Sequence, residues 1–163
     1  MTIFHAVLGL VVLQRLGELW LAAANTRRLR ALGAHESDRA GYPLFVVLHA
    51  GWLASLLLLV PASTPPIWPL LAGVGLLQVL RVWVIASLGR RWTTRIIVLP
   101  GASLVRSGPY RWCRHPNYAI VIGEIALLPL AFGALGIAVV FSAANAFLLA
   151  RRVRIEAGAL ASA

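Results

Sequence analysis

Four apolar stretches take up most of this chain: Ile3 to Ala24, Tyr42 to Val60, Ile67 to Leu88, and a longer one from about Asn117 to Ala150. An α-helix needs roughly 20 such residues to cross about 30 Å of hydrocarbon, so each stretch is long enough to span a membrane. Pro129 and Gly133 interrupt the last, which is too long for one span and divides into two short helices, 117–131 and 134–150. The composition agrees, with 60% hydrophobic residues, 12% charged residues and a mean hydropathy of +0.84. A soluble domain with a polar coat does not reach these values. The expected fold is all-α, a polytopic membrane bundle of about five transmembrane helices in a single domain, 1–163. The first stretch carries Gln14, Arg15 and Glu18 and lacks a small-residue cleavage site, so it reads as a retained helix and not as a signal peptide.

The net charge of +10 comes from arginine alone, and in a membrane protein its distribution reports topology before it reports nucleic acid, which is not an expected partner. Apart from Arg15 and Arg81, which fall inside spans, the arginines occupy Arg27 to Arg39, Arg90 to Arg114 and Arg151 to Arg154. The connections Pro61 to Pro66 and Leu130 to Ala134 have none. Five helices put all three basic regions on one side, which the positive-inside rule makes cytoplasmic, with the N-terminus outside and the C-terminus inside. The lone Cys113 excludes an internal disulfide. No metal is expected.

Arg15 and Glu18 are spaced to neutralise each other on one helix face, beside Gln14. Glu124 lies seven residues beyond Asn117, about 10 Å along the fourth helix at 1.5 Å per residue. A lone carboxylate at that depth costs a few kcal/mol, so it should face the bundle and meet Arg81, Arg15 or a polar ligand, with Gln78 close by. Structural pairing and contact with a ligand both remain open for Glu124.

Between the third and fourth helices, Leu104 to Tyr118 reads L-V-R-S-G-P-Y-R-W-C-R-H-P-N-Y, a polar crowd at a membrane edge. Pro116 suits a first helical position, so His115 stands at a helix start whose free N–H groups attract anions. Ser107-Gly108-Pro109 is turn chemistry that folds the segment toward that helix start. Tyr110, Trp112 and Tyr118 offer flat faces that either stack on an adenine or anchor the segment among lipid headgroups.

The whole order, L-V-x-S-G-x-Y-x-W-x-R-H-P-x-Y, resembles the isoprenylcysteine carboxyl methyltransferase family. A second block, Arg152-Val153-Arg154-Ile155-Glu156 with Leu160, is similar to the family's C-terminal R-x-x-x-E-E-x-x-L, and a closed hairpin of the last two helices would bring the two blocks together. The resemblance implies an S-adenosylmethionine-dependent membrane methyltransferase. It implies cofactor contacts at Leu104, Val105, Tyr110, His115, Pro116, Asn117, Tyr118 and Glu156, with Arg152 orienting the substrate. Leu104 and Val105 would line the adenosine pocket, His115 and the helix start would hold the methionine end, and Glu156 would meet the ammonium or the ribose hydroxyls. Ala157 replaces the family's second acidic residue, and the sequence stops three residues after Leu160, short of the family's longer tail. Both departures bear on substrate recognition more than on cofactor binding.

The substrate so implied is a lipid-linked carboxylate of the isoprenylcysteine type. With a reference pKa near 3.5 a carboxylate is ionised at neutral pH and needs no general base. The alternative is a phenolic or polyketide lipid hydroxyl, which needs a base, and His115 or Glu124 would then be candidates. A reductase, also found in the broader superfamily, would need a larger cofactor site. Outside enzymes, the alternative is a helical membrane scaffold whose arginines hold anionic headgroups.

Overall fold

The structure, a computed structural model, describes residues 2–161. Thr2 caps the first helix, α1 (Ile3–Ala31), its side chain accepting from the His5 N–H. The helices α2 (Tyr42–Leu59), α3 (Trp68–Leu88) and α4 (Pro116–Ala131) each carry proline in the first turn, where a missing N–H breaks no bond. At the end of α4 the Phe132 and Ala134 N–H groups bond back to the Pro129 carbonyl. Gly133, at φ +69°, then reverses the chain into α5 (Leu135–Ala161). The expected hairpin is present.

Two helices outrun the apolar stretches that announced them. α1 continues past Ala24 through Arg27, Arg28 and Arg30, and α5 past Ala150 through Arg151, Arg152 and Arg154. Long arginine stems lie along apolar surface while their heads reach water, so polarity in the sequence does not end a helix at the hydrocarbon boundary. The block around Arg152 and Glu156 therefore lies in the last turns of α5, and the Leu160 side chain falls outside the described residues. By length and hydropathy α1, α2, α3 and α5 each suffice to cross a membrane. α4, with 16 residues, covers about 24 Å and packs between α3 and α5.

The helices alternate in direction. The connections 32–41 and 89–115 and the end of α5 share one arginine-rich end, while 60–67 and 132–134 lie at the other. A small departure from all-α sits at the basic end: β1 (His35–Glu36) pairs antiparallel with β2 (Ile97–Val98), His35 opposite Val98. Asn25 on α1 donates to the Trp92 carbonyl at 2.8 Å, and Arg151 on α5 grips both oxygens of Asp38 at 3.0 and 3.1 Å. These ties make the two basic connections a folded cap.

The tightest core lies toward the opposite end. Phe4, Leu8 and Val11 of α1 meet Leu48, Trp52 and Leu56 of α2, Val74 of α3, and Ile125 and Leu128 of α4. Phe132 closes this core edge-on against Phe4, ring centres 5.1 Å apart. With that half filled, the space for a site is in the basic half.

Candidate active site

A charged waist separates the two halves. Arg15 Nη1 donates to Glu18 at 2.7 Å and Nη2 to Glu124 at 2.5 Å, while Arg81 donates to Glu18 at 2.9 Å and also to Glu124. Gln14 and Gln78 complete the carboxylates' shells at 2.9 and 2.7 Å. Two positive and two negative groups balance, so no uncompensated charge is buried. Glu124 is sealed inside this network and does not line the cavity above it. Of the partners expected for it, the structure brings Arg15, Arg81 and Gln78 to its carboxylate.

Above the waist lies a cavity of about 450 Å³, within the range of small-molecule sites. Its mouth joins the start of α4 to the end of α5. The Tyr118 hydroxyl donates to Glu156 Oε2 at 2.6 Å and accepts from Arg152 Nε at 3.0 Å. His115 lies parallel to the Tyr118 ring, centres 5.2 Å apart, with Nδ1 3.6 Å from Glu156 Oε2. Arg152 also donates through Nη2 to the Thr94 carbonyl at 2.8 Å, and its guanidinium stands 5.0 Å from the Phe45 ring centre. The two sequence blocks, 104–118 and 152–160, thus meet through Tyr118, His115, Arg152 and Glu156.

Asn117 Oδ1 is buried without a hydrogen-bond partner among the described residues, and Asn117 lines the cavity. A buried acceptor left unpaired costs about 1–3 kcal/mol unless a ligand supplies a donor. The Tyr118 and Ala119 N–H groups turn back to the His115 carbonyl, which caps the helix start through its backbone, and Pro116 is buried behind the wall. Tyr110 lines the mouth from the short 3-10 turn Gly108–Arg111. Burial first, then the nearby Glu156 and Cys113, pushes its phenol up to about 12, so it stays protonated through the physiological range. Gly108 is required for that turn: its φ is +57°, and a Cβ there would lie 2.1 Å from Ser87 Oγ.

Leu104 and Val105 are placed differently from what the resemblance implies. Neither lines the cavity, and Leu104 is 63% exposed on the connection ahead of the turn. The Trp92 to Val98 segment, held by Asn25 and by the β1–β2 ladder, forms one wall of the cavity. Sequence reasoning also passed over Tyr42, Phe45 and His49 of α2, all on the wall. Their spacing of three and four residues marks one helix face, but within an apolar run ordinary packing produces the same spacing. Leu16, Leu19 and Val46 line the cavity and remain 57%, 41% and 44% exposed, which leaves an apolar flank between α1 and α2.

Fold and cavity define a polytopic helical membrane protein with a polar mouth over an apolar chamber. The isoprenylcysteine carboxyl methyltransferase (ICMT) family model matches residues 70–162, more than half of the chain, and the protein belongs to that family. Membership places it among membrane methyltransferases in general. It is 39% identical over 161 residues, 96% of each chain, to the "Uncharacterized protein YpbQ" of Bacillus subtilis (strain 168). No solved structure matches.

Proposed function

We propose that the protein is an S-adenosylmethionine-dependent O-methyltransferase acting within the membrane on a lipid-linked carboxylate of the isoprenylcysteine type. The observation that carries this reading is the convergence of Glu156, His115, Tyr118 and the unpartnered Asn117 acceptor on one cavity mouth. These groups fit the cofactor's polar ends. Glu156 suits an ammonium, Asn117 Oδ1 an amine or hydroxyl donor, and the start of α4 beside His115 a carboxylate. The cofactor supplies an electrophilic methyl group on a sulfonium. The protein's task is to align an acceptor oxygen with it and to keep water out.

Arg152 is suited to that alignment. Tyr118 and the Thr94 carbonyl fix its Nε and Nη2, leaving the rest of the fork to face an anionic acceptor. A carboxylate needs no proton removed, and Phe45, Val46, Ala50 and Leu53 offer an apolar wall for the attached chain. The flank between α1 and α2 gives that chain a lateral way in from lipid, while the cofactor arrives at the basic end. By the positive-inside rule that end faces the cytoplasm of a bacterial inner membrane. A second reading, a phenolic or polyketide hydroxyl as acceptor, is favoured by the imidazole of His49 deeper in the same cavity.

Calorimetry with purified protein in detergent tests the proposal. S-adenosylmethionine should bind, and Glu156→Gln should weaken binding about tenfold or more, near 1.4 kcal/mol. No binding by well-folded wild-type protein would refute the enzyme reading and favour a scaffold. Methyl transfer to prenylcysteine analogues, run beside long-chain phenols, identifies the acceptor.

A further inference from the structure

His49 is a titratable group on the cavity wall for which carboxylate methylation has no use. Its Nδ1 lies 2.8 Å from the Phe45 carbonyl oxygen. A carbonyl only accepts, so Nδ1 carries the hydrogen, and in the neutral ring Nε2 holds the lone pair. Nε2 has no hydrogen-bond partner among the described residues. Trp52 meets the ring edge-on, centres 6.5 Å apart at 83°, and fixes its plane.

The position suits a group that meets the acceptor. Phe45, under the Arg152 guanidinium at 5.0 Å, is one turn nearer the mouth. At 1.5 Å per residue His49 is then about 6 Å deeper on the same face of α2. The charged groups facing it are Arg15 and Glu18 from α1 and Arg81 from α3, which also line the cavity, with Glu124 of α4 behind them. Arg15, its side chain 16% exposed and held by Glu18 and Glu124, forms part of the chamber floor.

We propose that His49 is the proton acceptor for the hydroxyl of a lipid acceptor bound in this cavity. The inference rests on the methyl-transfer reading and deepens it. The hydroxyl proton passes to Nε2 as the oxygen bonds to the methyl carbon. The carbon–sulfur bond breaks with its electron pair left on sulfur, and the proton returns to water. A carboxylate acceptor uses the same cavity without His49.

The test compares wild type with His49→Asn, which keeps an N–H for the Phe45 carbonyl, and with His49→Gln as a second variant should the first not fold. A long-chain nitrophenol is titrated against cofactor-free protein, and its phenolate absorbance is followed. Wild type should lower the apparent pKa of the bound phenol relative to the variant. In turnover the variant's loss on a long-chain alkylphenol should exceed its loss on a prenylcysteine carboxylate by about 100-fold, since general bases contribute that order. Calorimetric cofactor affinity should not change. Equal losses on both acceptors, undiminished phenol methylation, no wild-type phenol methylation, or identical phenol ionisation in the two proteins would each overturn the role of His49. Absence of cofactor binding by wild type would instead strike the methyl-transfer reading, because the phenol titration is made without cofactor.

Discussion

Replacing Glu124 probes the waist of the bundle most directly. Its side chain is 3% exposed and pairs with Arg15 at 2.5 Å, with Arg81, and with Gln78 at 2.7 Å. In Glu124→Ala two guanidiniums face Glu18 alone, and one positive charge is left uncompensated beside Arg81, itself 2% exposed. Breaking a buried pair from one side costs about 3–5 kcal/mol. In a chain of this size 1 kcal/mol moves Tm by about 2–4 °C, so the midpoint should fall by about 6–20 °C. Glu124→Gln keeps the volume and discards the charge, and it should show most of the loss. The double replacement Arg81→Met with Glu124→Leu leaves Arg15 and Glu18 as a neutral pair and should recover more than half of it. Tryptophan fluorescence on heating in one detergent reads all four proteins. Because Glu124 is off the cavity wall, cofactor affinity should change by less than about threefold, below the 1.4 kcal/mol of a tenfold effect. A wild-type midpoint for Glu124→Gln, or a double variant no more stable than Glu124→Ala, would refute the charge-balance argument.

Tyr118→Phe deletes the hydroxyl between Arg152 and Glu156, and cofactor affinity should fall about fivefold by calorimetry, near the 1 kcal/mol of one hydrogen bond. Gly108→Ala forces a side chain into φ +57° and toward Ser87 Oγ, and should lower stability by about 1–3 kcal/mol, read as a lower Tm. The Tyr110 phenol, up at about 12, binds its proton more firmly folded than unfolded, where about 10 is usual. Its stabilising contribution is therefore intact below pH 10 and lost as pH rises through about 12. Ultraviolet titration should show that late ionisation, and Tyr110→Phe should remove it and flatten the alkaline fall in stability.

What the sequence made legible was local. Apolar runs marked the helices, Pro129 with Gly133 divided the last of them, and the arginine spacing grouped the connections at one end. Helix lengths were less legible, because arginine stems carry α1 and α5 beyond the hydrocarbon. The cap was not legible at all, since Glu36 and Ile97 pair across a separation of about sixty residues through backbone groups that any sequence carries. Within the site the same division holds. Tyr118 and Glu156 sat in recognisable blocks and meet, whereas Leu104 and Val105 sat in a block too and lie away from the cavity. His49 belonged to no block; its interest arises from the Phe45 carbonyl beneath it and the open chamber before it.

The charged waist also explains why the chamber sits where it does. A helical bundle in lipid gains no hydrophobic driving force from helix contact, so packing and internal polar bonds must hold it together. Here the core around Trp52 and Ile125 supplies packing in one half, and the Arg15–Glu18–Arg81–Glu124 network ties α1, α3 and α4 at the midpoint. The other half is then free to spread, with the β1–β2 cap and the Arg151–Asp38 pair closing its far end. A ligand-sized void is costly in a bundle held by packing alone, because its lining atoms lose their partners. Clamped at the waist and at the cap, it leaves both clamps intact. On this account Asp38→Ala should loosen the cap and weaken cofactor binding while leaving the Trp52 core unchanged, whereas Glu124→Ala should do the reverse. Hydrogen exchange of the two ends reads both effects, and matched loss of protection at both ends in either variant would show that the halves are not independently held.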